Sequence, residues 1–211
     1  MKRYLPISLD INSKPCLVVG GGAVALRKVK LLLEYGALVM VVAPDVTPSL
    51  RSLAQRRKIA LYQRRFRKTD LKGKYLVFAA TNDHAVNRKI FDMANTHSIL
   101  VNVVDDPALC SFIMPAIYQK GALQVAVSTG GEFPGMAKAL RNRIAESLAD
   151  DVSDFLEALA RLRREVISSK SSEREKKRCI GWLCSDESYA IFKKQGQDAL
   201  MKHFRQHIKR K

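Results

Sequence analysis

Long apolar runs, acidic side chains and cysteines are all scarce in this chain of 211 residues. Its longest apolar stretches, 37–44 and 99–104, fall well short of the roughly 18 residues that cross a bilayer, so we expect no membrane partner. Pro6 and Asp10 interrupt the N-terminal segment before an apolar core of signal-peptide length can form. We therefore expect a cytoplasmic protein. Four cysteines are too few for a disulfide scaffold, and Cys179 and Cys184 have no second pair at zinc spacing.

The shortage of acidic residues leaves a strongly basic protein. Thirty-seven Lys and Arg against 20 Asp and Glu give a formal charge of +17, which attracts polyanions. No zinc-finger spacing, aromatic RNA-binding stretch or basic region with heptads is present, so we do not expect nucleic acid as the partner. His203 and His207, four apart on a predicted helix, have lysines and arginines around them and are interpreted as a solvated basic face, so we expect no metal site.

The 47% of hydrophobic residues can build a core, and their spacing over the first hundred residues is typical of βαβ units. Short β-branched runs alternate with amphipathic segments of helical length. Nearly continuous apolar strands separated by helices predict a parallel sheet covered on both faces. The predicted strands are 16–19, 38–43, 59–62, 75–79 and 99–103, and the predicted helices are 23–35, 48–56 and 83–96.

After Val104 the pattern changes. Two strand-like runs, 111–118 and 122–128, are joined by a short polar stretch and predict a hairpin. Helices are then predicted over 134–148 and 151–168, followed by a polar connection at 168–177 and a helix from 186 to the end. We therefore expect an α/β protein with a parallel-sheet domain (1–110), a mixed α+β dimerisation and active-site segment (111–148) and a C-terminal helical domain (149–211).

A glycine-rich turn joins the first strand to the first helix as Gly20-x-Gly22-x-x-Ala25. Gly20 permits a tight turn, Gly22 lets a pyrophosphate approach the backbone, and Ala25 lets the helix pack closely on the sheet. The helix N-terminus, at Ala23 and Val24, then offers unpaired amides to the phosphates. In this strand, turn and helix context the motif predicts a Rossmann-like dinucleotide site.

Cofactor preference is set at the end of the second strand, where Ala43, Pro44 and Asp45 follow one another. Asp45 is a candidate acceptor for the ribose hydroxyls. No Arg immediately follows it to bind a 2′-phosphate, so we expect NAD rather than NADP. The alternative role for Asp45 is a helix cap near Pro48. Thr81 and Asp83, after the fourth strand, either cap the next helix or line the cofactor, or do both.

Paired carboxylates, Asp105 and Asp106, follow directly on the fifth predicted strand. They are either a general base facing the crevice or turn residues before Pro107. Ser128 and Thr129 precede two glycines and a helix, so they either hold a second anion or simply cap the helix.

In combination, these clusters resemble the precorrin-2 dehydrogenase family of siroheme synthesis. The resemblance covers residues 3–148 and rests on motifs that occur in the same order at compatible spacing. It is carried by 18–28, 79–83, 102–105, 111–115 and 125–131.

The resemblance implies that NAD⁺ oxidises precorrin-2 to sirohydrochlorin, with Asp105 removing the proton. It also implies a homodimer and no methyltransferase module in this chain. The expected cofactor-binding residues are Gly20, Gly22, Ala23, Val24, Pro44, Asp45, Thr81 and Asp83. The expected substrate-binding residues are Asn102, Ser111, Ser128, Thr129, Lys138 and Arg141.

Three alternatives remain open at this point. A bifunctional enzyme of the same family would also insert ferrous iron in the same crevice. A non-catalytic NAD-binding regulatory module would bind nucleotide without turnover and without dependence on Asp105. A nucleic-acid-binding protein would rest on the basic runs 56–58 and 64–68 alone and would show affinity that falls steeply with salt.

Overall fold

The computed structural model describes residues 3–209, with side chains as far as Gln206. The chain divides into two compact units, Met1–Met114 and Pro115–Lys211. The three-part division expected from the sequence stays a prediction. None of the helices in the described range is long and apolar enough to span a bilayer.

The first unit is a five-stranded parallel sheet in the order β3-β2-β1-β4-β5 with three α-helices. This arrangement confirms the predicted α/β, Rossmann-like fold. The element bounds lie within one residue of those predicted, because polar or turn-forming residues interrupt the apolar runs near the strand ends. The strands are β1 Pro15–Val19, β2 Leu38–Val42, β3 Ala60–Tyr62, β4 Leu76–Ala79 and β5 Leu100–Val103, and the helices are α1 Ala23–Glu34, α2 Pro48–Gln55 and α3 His84–Thr96.

Alternate residues of β1 point to opposite faces of the sheet, and both faces are buried. Cys16 and Val18 join a cluster that includes Val29 of α1 and Leu50 of α2. Leu17 and Val19 join a second cluster with Ile90 and Ala94 of α3. Helices therefore cover the sheet on both sides, which explains why the strands read as continuous apolar runs.

The strand register brings the ends of β1, β2 and β4 into one row. Val19 pairs with Val42 on one side and with Ala79 on the other. Because β1 lies between β2 and β4, the strand order reverses there, and a crevice opens outside the carboxyl ends of the strands. The turns that leave these strands consequently emerge side by side.

The second unit begins with an antiparallel hairpin, β6 Ala116–Lys120 and β7 Leu123–Val127, which confirms the predicted hairpin. The helices α4 Pro134–Ser147, α5 Val152–Ser168, α6 Glu173–Leu183 and α7 Asp186–Lys209 follow. The helix α7 is interrupted at Gly196, whose φ is +79°. The end of the helix predicted from 186, at residues 210–211, lies outside the described part of the chain. So does the side chain of His207, which was part of the predicted basic face.

Two predicted boundaries in this region are wrong. The strand predicted from Ser111 begins only at Ala116, because Ser111 instead bonds to the backbone of Val101 beside β5. The polar connection predicted over 168–177 contains the start of α6. The Ser172 hydroxyl accepts from the Glu175 amide, and the Glu175 carboxylate accepts from the Ser172 amide, so a capping box begins this helix despite its polar composition.

A two-pronged ion pair holds the segment between β3 and β4. Arg64 donates through Nη1 and Nη2 to the two carboxylate oxygens of Asp70, at 2.8 and 2.7 Å. The Asp70 side chain is only 5% exposed and also accepts from the Arg67 amide at 2.8 Å. The hydrogen bond from Arg64 is the main cause that holds the pKa of Asp70 below its ordinary value. The pair therefore stabilises the ionised carboxylate of the folded state.

We expect the free energy of unfolding to depend on this carboxylate in acid. Because the pKa of Asp70 is lower in the folded than in the unfolded chain, its contribution is present above the ordinary carboxyl pKa of 3.8 and is lost as the pH falls below it. Urea unfolding of wild type and Asp70→Asn at pH 7, 5, 3 and 2 should show a difference in unfolding free energy that is constant at pH 7 and 5 and narrows at pH 3 and 2. An equal gap at every pH would contradict this assignment.

Candidate functional site

A cavity of about 1240 Å³ opens in the first unit at the carboxyl edge of the sheet. It is formed by the turns after β1, β2, β4 and β5 together with the segment after β3 and the start of α3. Its walls contain residues 19–24, 42–47, 65–66, 80–84, 86–87, 89 and 104–105. The structure thus brings together, in one cavity, every residue predicted to bind the cofactor and the predicted catalytic Asp105.

The turn Gly20-Gly21-Gly22 is fixed by close backbone contacts with its neighbours. Gly20 has φ +134°, and a Cβ atom there would overlap the carbonyl oxygen of Ala80. A Cβ atom at Gly21 would overlap the carbonyl oxygen of Asp45, and the Gly21 carbonyl accepts from the Thr47 amide at 3.0 Å. These two glycines are therefore required by the protein's own packing.

Gly22 differs, because a Cβ atom built on it would meet nothing within 4 Å. Its φ of −82° is available to any residue, so neither packing nor backbone conformation requires glycine there. The space in front of Gly22 belongs to the cavity. This residue fits the role predicted for it, which is to let a pyrophosphate lie against the backbone.

The N-termini of α1 and α3 both face the cavity, but only one is open to an anion. The Asp83 carboxylate accepts from the amides of Ala85 and Val86, at 2.9 and 3.1 Å, and so caps α3. At α1 the cap is Gly22, no side chain caps the helix, and its first turn holds no acidic residue. The first amides of α1, including those of Ala23 and Val24, are therefore available to the phosphates of a dinucleotide.

A buried amide shapes the turn after β4. The side chain of Asn87 accepts from the Thr81 hydroxyl at 2.7 Å and donates to the Thr81 carbonyl at 3.0 Å. The Asp83 amide in turn donates to the Thr81 hydroxyl at 3.2 Å. Thr81 and Asp83 therefore both line the cavity and hold its wall in place, and Asp83 caps α3 as predicted. Contact of either residue with the cofactor stays a prediction.

Asp105 follows β5 with φ +60°, a left-handed conformation that Asp, Asn and Gly adopt most readily. The turn exposes its carboxylate to the cavity, and no side-chain hydrogen bond or ion pair engages it in the described part of the chain. Asp106 does not line the cavity and begins the short 3-10 turn Pro107–Leu109. The two neighbouring carboxylates thus lie in different surroundings.

A partly buried lysine lies within electrostatic reach of Asp105. The Lys28 Nζ atom lies 4.9 Å from the centroid of the Phe78 ring. Burial and then the neighbouring Arg27 cation lower the pKa of Lys28, while Cys110 and Asp105 act in the opposite direction. Lys28 is therefore a cation on the β5 side of the sheet that interacts electrostatically with Asp105.

Two residues predicted to bind substrate make structural bonds in the first unit. The Asn102 side chain is buried and donates to the Phe112 carbonyl at 3.0 Å. The Ser111 hydroxyl accepts from the Val101 amide at 2.8 Å and donates to the Val101 carbonyl at 3.2 Å. These bonds hold the segment after β5 against the sheet, and neither side chain lines the cavity.

The other residues predicted to bind substrate belong to the second unit, at α4 and the turn before it. The Ser128 hydroxyl accepts from the Gly130 amide, and the Thr129 hydroxyl accepts from the Phe133 amide, both at 3.2 Å. Arg141 donates through Nη1 to the Ile117 carbonyl at 3.0 Å. Lys138 is exposed and makes no side-chain bond to any described residue.

Sequence reasoning missed several residues of the cavity wall. Gly21 was counted as a variable position, although it packs as tightly as Gly20. Asn87 lay on the buried face of α3, and a polar residue among inward-facing apolar ones was a usable signal. Arg65 and Phe66 belong to the basic run 64–68, which entered the predictions only through the nucleic-acid alternative, and the sequence alone carries no signal that they reach the cavity.

Comparison with known proteins agrees with this geometry. A family model described as NAD(P)-binding matches residues 7–116. A second model, described as sirohaem biosynthesis protein central, matches residues 120–147. The predicted resemblance to the proteins of siroheme synthesis is therefore confirmed, and the cofactor class is NAD(P).

Several siroheme synthases are similar in sequence. Those of Nitrosococcus oceani and Methylococcus capsulatus are 42% and 45% identical over 164 and 163 residues, which is 78% and 77% of this chain. The siroheme synthase 1 of Cronobacter sakazakii is 47% identical over 146 residues. These matches cover 35%, 34% and 31% of the respective relatives, so the chain spans about a third of the length of these curated proteins.

A solved structure shares the fold. SirC, a precorrin-2 dehydrogenase, matches with a TM-score of 0.81 at 23% sequence identity, over 96% of this chain and 100% of the SirC chain. At this level of identity the match shows a common fold for the two proteins.

The contrast between Gly20 and Gly22 leads to a paired prediction. Gly22→Ala should fold with an unchanged melting temperature but bind NAD⁺ at least about tenfold more weakly, because its methyl group enters the cofactor space. Gly20→Ala should lower the melting temperature as well, because its methyl group meets the Ala80 carbonyl. Calorimetry and NAD⁺ titration test both variants. A Gly22→Ala protein with wild-type affinity would argue against a pyrophosphate at this turn.

Proposed function

Because the chain belongs to the NAD(P)-binding family whose model spans residues 7–116, we propose that it is an NAD-dependent dehydrogenase that oxidises precorrin-2 to sirohydrochlorin. One observation carries the proposal. The Asp105 carboxylate, which makes no side-chain hydrogen bond or ion pair to any described residue, lines the same cavity as the glycine turn and the uncapped start of α1. The names of the siroheme synthases and of SirC supply the substrate class.

The reaction removes two electrons and two protons from the macrocycle. Bound NAD⁺ supplies the acceptor for the hydride, which carries both electrons and one proton. The Asp105 carboxylate, which lines the cavity, accepts the second proton. The products are sirohydrochlorin, NADH and one proton, which Asp105 passes to solvent at the exposed turn.

The walls of the cavity support a position for the cofactor. The amides of Ala23 and Val24 would hold the pyrophosphate, for which Gly22 leaves room. Pro44 and Asp45, after β2, would contact the adenosine ribose, and the Asp45 carboxylate would accept from its hydroxyls. Because β5 lies on the other side of β1, Asp105 is on the side of the cavity left for the nicotinamide and the substrate.

The charge of the protein suits this substrate. Precorrin-2 carries eight carboxylates, and a formal charge of +17 attracts such an anion. Within the second unit, Lys138 and the donors of Ser128, Thr129 and Arg141 are our proposed contacts for such carboxylates. Asn102 and Ser111 contribute by holding the segment after β5, since their side chains are bonded to backbone.

We further propose that the chain forms a homodimer through α4. The apolar side chains Phe133, Met136, Leu140 and Ile144 form one stripe along this helix, and Phe133 and Met136 are 69% and 54% exposed. Only Ala137 is buried in the whole of α4. A second copy of the chain would cover this stripe, in agreement with the dimer implied by the family resemblance.

The catalytic proposal is tested by Asp105→Asn, which keeps a residue that tolerates the left-handed backbone. We expect turnover of precorrin-2 under anaerobic conditions to fall by about 10²- to 10⁴-fold, with NAD⁺ affinity and melting temperature unchanged. Asp106→Asn is the matched control and should retain activity. Sirohydrochlorin formation is followed by absorbance. Full turnover by Asp105→Asn would contradict the role of Asp105 as the proton acceptor. No oxidation by a folded, NAD⁺-binding wild type would contradict the dehydrogenase activity itself.

The dimer is tested by Met136→Glu, which introduces a charge into the apolar stripe. We expect the dimer to dissociate at least about tenfold more readily, since a buried unpaired carboxylate is costly. Asn142→Glu is the control, because Asn142 is exposed on another face of α4. Sedimentation velocity over a concentration series measures both variants. A wild type that remains monomeric at every concentration would rule the interface out.

A further inference from the structure

Asp45 and Arg65 lie at equivalent positions beyond the ends of the neighbouring strands β2 and β3. Val42 of β2 pairs with Tyr62 of β3, and the Ala43 amide donates to the Tyr62 carbonyl at 3.2 Å just beyond the pair. Asp45 is three residues past Val42, and Arg65 is three residues past Tyr62. Because the strands are parallel, both residues leave the sheet at the same edge, and both line the cavity. The adenosine end of the site thus presents a carboxylate and a guanidinium.

The two adjacent arginines after β3 have different surroundings. Arg64 is committed to the protein, since it grips Asp70 with two hydrogen bonds and lies 5.3 Å from the centroid of the Tyr62 ring. It also donates to the carbonyl of Arg65 at 3.1 Å, which fixes the backbone there. The guanidinium of Arg65 makes no side-chain hydrogen bond or ion pair to any residue in the described range. Its five donors remain available in the cavity.

We propose that Arg65 is a specificity-determining residue that binds the 2′-phosphate of the adenosine ribose, so that this chain binds NADP as well as NAD. The inference rests on the proposed function, because it assumes the dinucleotide site. An arginine near the end of the second strand accommodates a 2′-phosphate, whereas a carboxylate there favours the free hydroxyl. Here a neighbouring strand supplies the arginine, and its charge offsets the repulsion between Asp45 and the phosphate.

Nucleotide fragments give a test that is independent of catalysis. Adenosine 2′,5′-bisphosphate and adenosine 5′-monophosphate differ only in the 2′-phosphate, and each is titrated into the whole protein by calorimetry. We expect the bisphosphate to bind wild type more tightly, and Arg65→Ala to weaken the bisphosphate by about tenfold or more while changing the monophosphate by less than about threefold. The same variant should lose affinity for NADP⁺ but not for NAD⁺.

Two further variants sharpen the result. Arg51→Ala removes an equal charge from an exposed position on α2 outside the cavity, and it should behave as wild type if the effect is local. Asp45→Asn should strengthen the bisphosphate relative to the monophosphate. If Arg65→Ala does not fold, Arg65→Gln replaces it with a polar side chain of similar reach.

The possible failures are distinct from one another. If wild type binds NAD⁺ but neither NADP⁺ nor the bisphosphate, the role of Arg65 is overturned and the proposed function survives. If Arg65→Ala and Arg51→Ala weaken the bisphosphate equally, the attraction is a general effect of the basic protein and the assignment is again wrong. If wild type binds no dinucleotide at all, the proposed function fails as well.

Discussion

Close backbone contacts around the first glycine turn govern the rest of the site. Gly20 packs against the Ala80 carbonyl after β4, and Gly21 packs against the Asp45 carbonyl after β2. The turn is thereby wedged between the two strand ends where the sheet order reverses. Close contacts between backbone atoms, rather than adjustable side chains, set the position of the turn. The start of α1 and the adjoining walls of the cavity are therefore fixed relative to one another.

The cavity wall contains side chains of two kinds. Some are bonded within the protein and give the wall its shape, such as Thr81 with Asn87, and Asp83 with the first turn of α3. Others, including Asp45, Arg65 and Asp105, make no side-chain bond to any residue that the structure describes. Free charges on a rigid frame are what a binding site needs, because little order has to be created when the ligand arrives.

Most of the fold could be predicted from the sequence because its signals are local. β-branched runs, helical periodicity and the turn at Gly20 each need only neighbouring residues, and parallel pairing follows from their alternation. The same signals located Asp45, Thr81 and Asp105 at strand ends. The role of Arg64 as an anchor and the reach of Arg65 depend on Asp70 and on the pairing of β3 with β2, which no local pattern encodes. The helix α6 was missed because polar composition concealed its capping box.

The uncapped start of α1 has a consequence for the life of the protein before it meets its cofactor. No side chain of the protein caps the first amides of α1, which adjoin the strand at the centre of the sheet, so a bound anion would supply their hydrogen bonds. A ligand present at about a hundred times its dissociation constant stabilises the folded state by about 2.7 kcal/mol. The cellular pool of dinucleotide would then act on the abundance of this protein, by protecting newly made chains from proteolysis, as well as on its turnover.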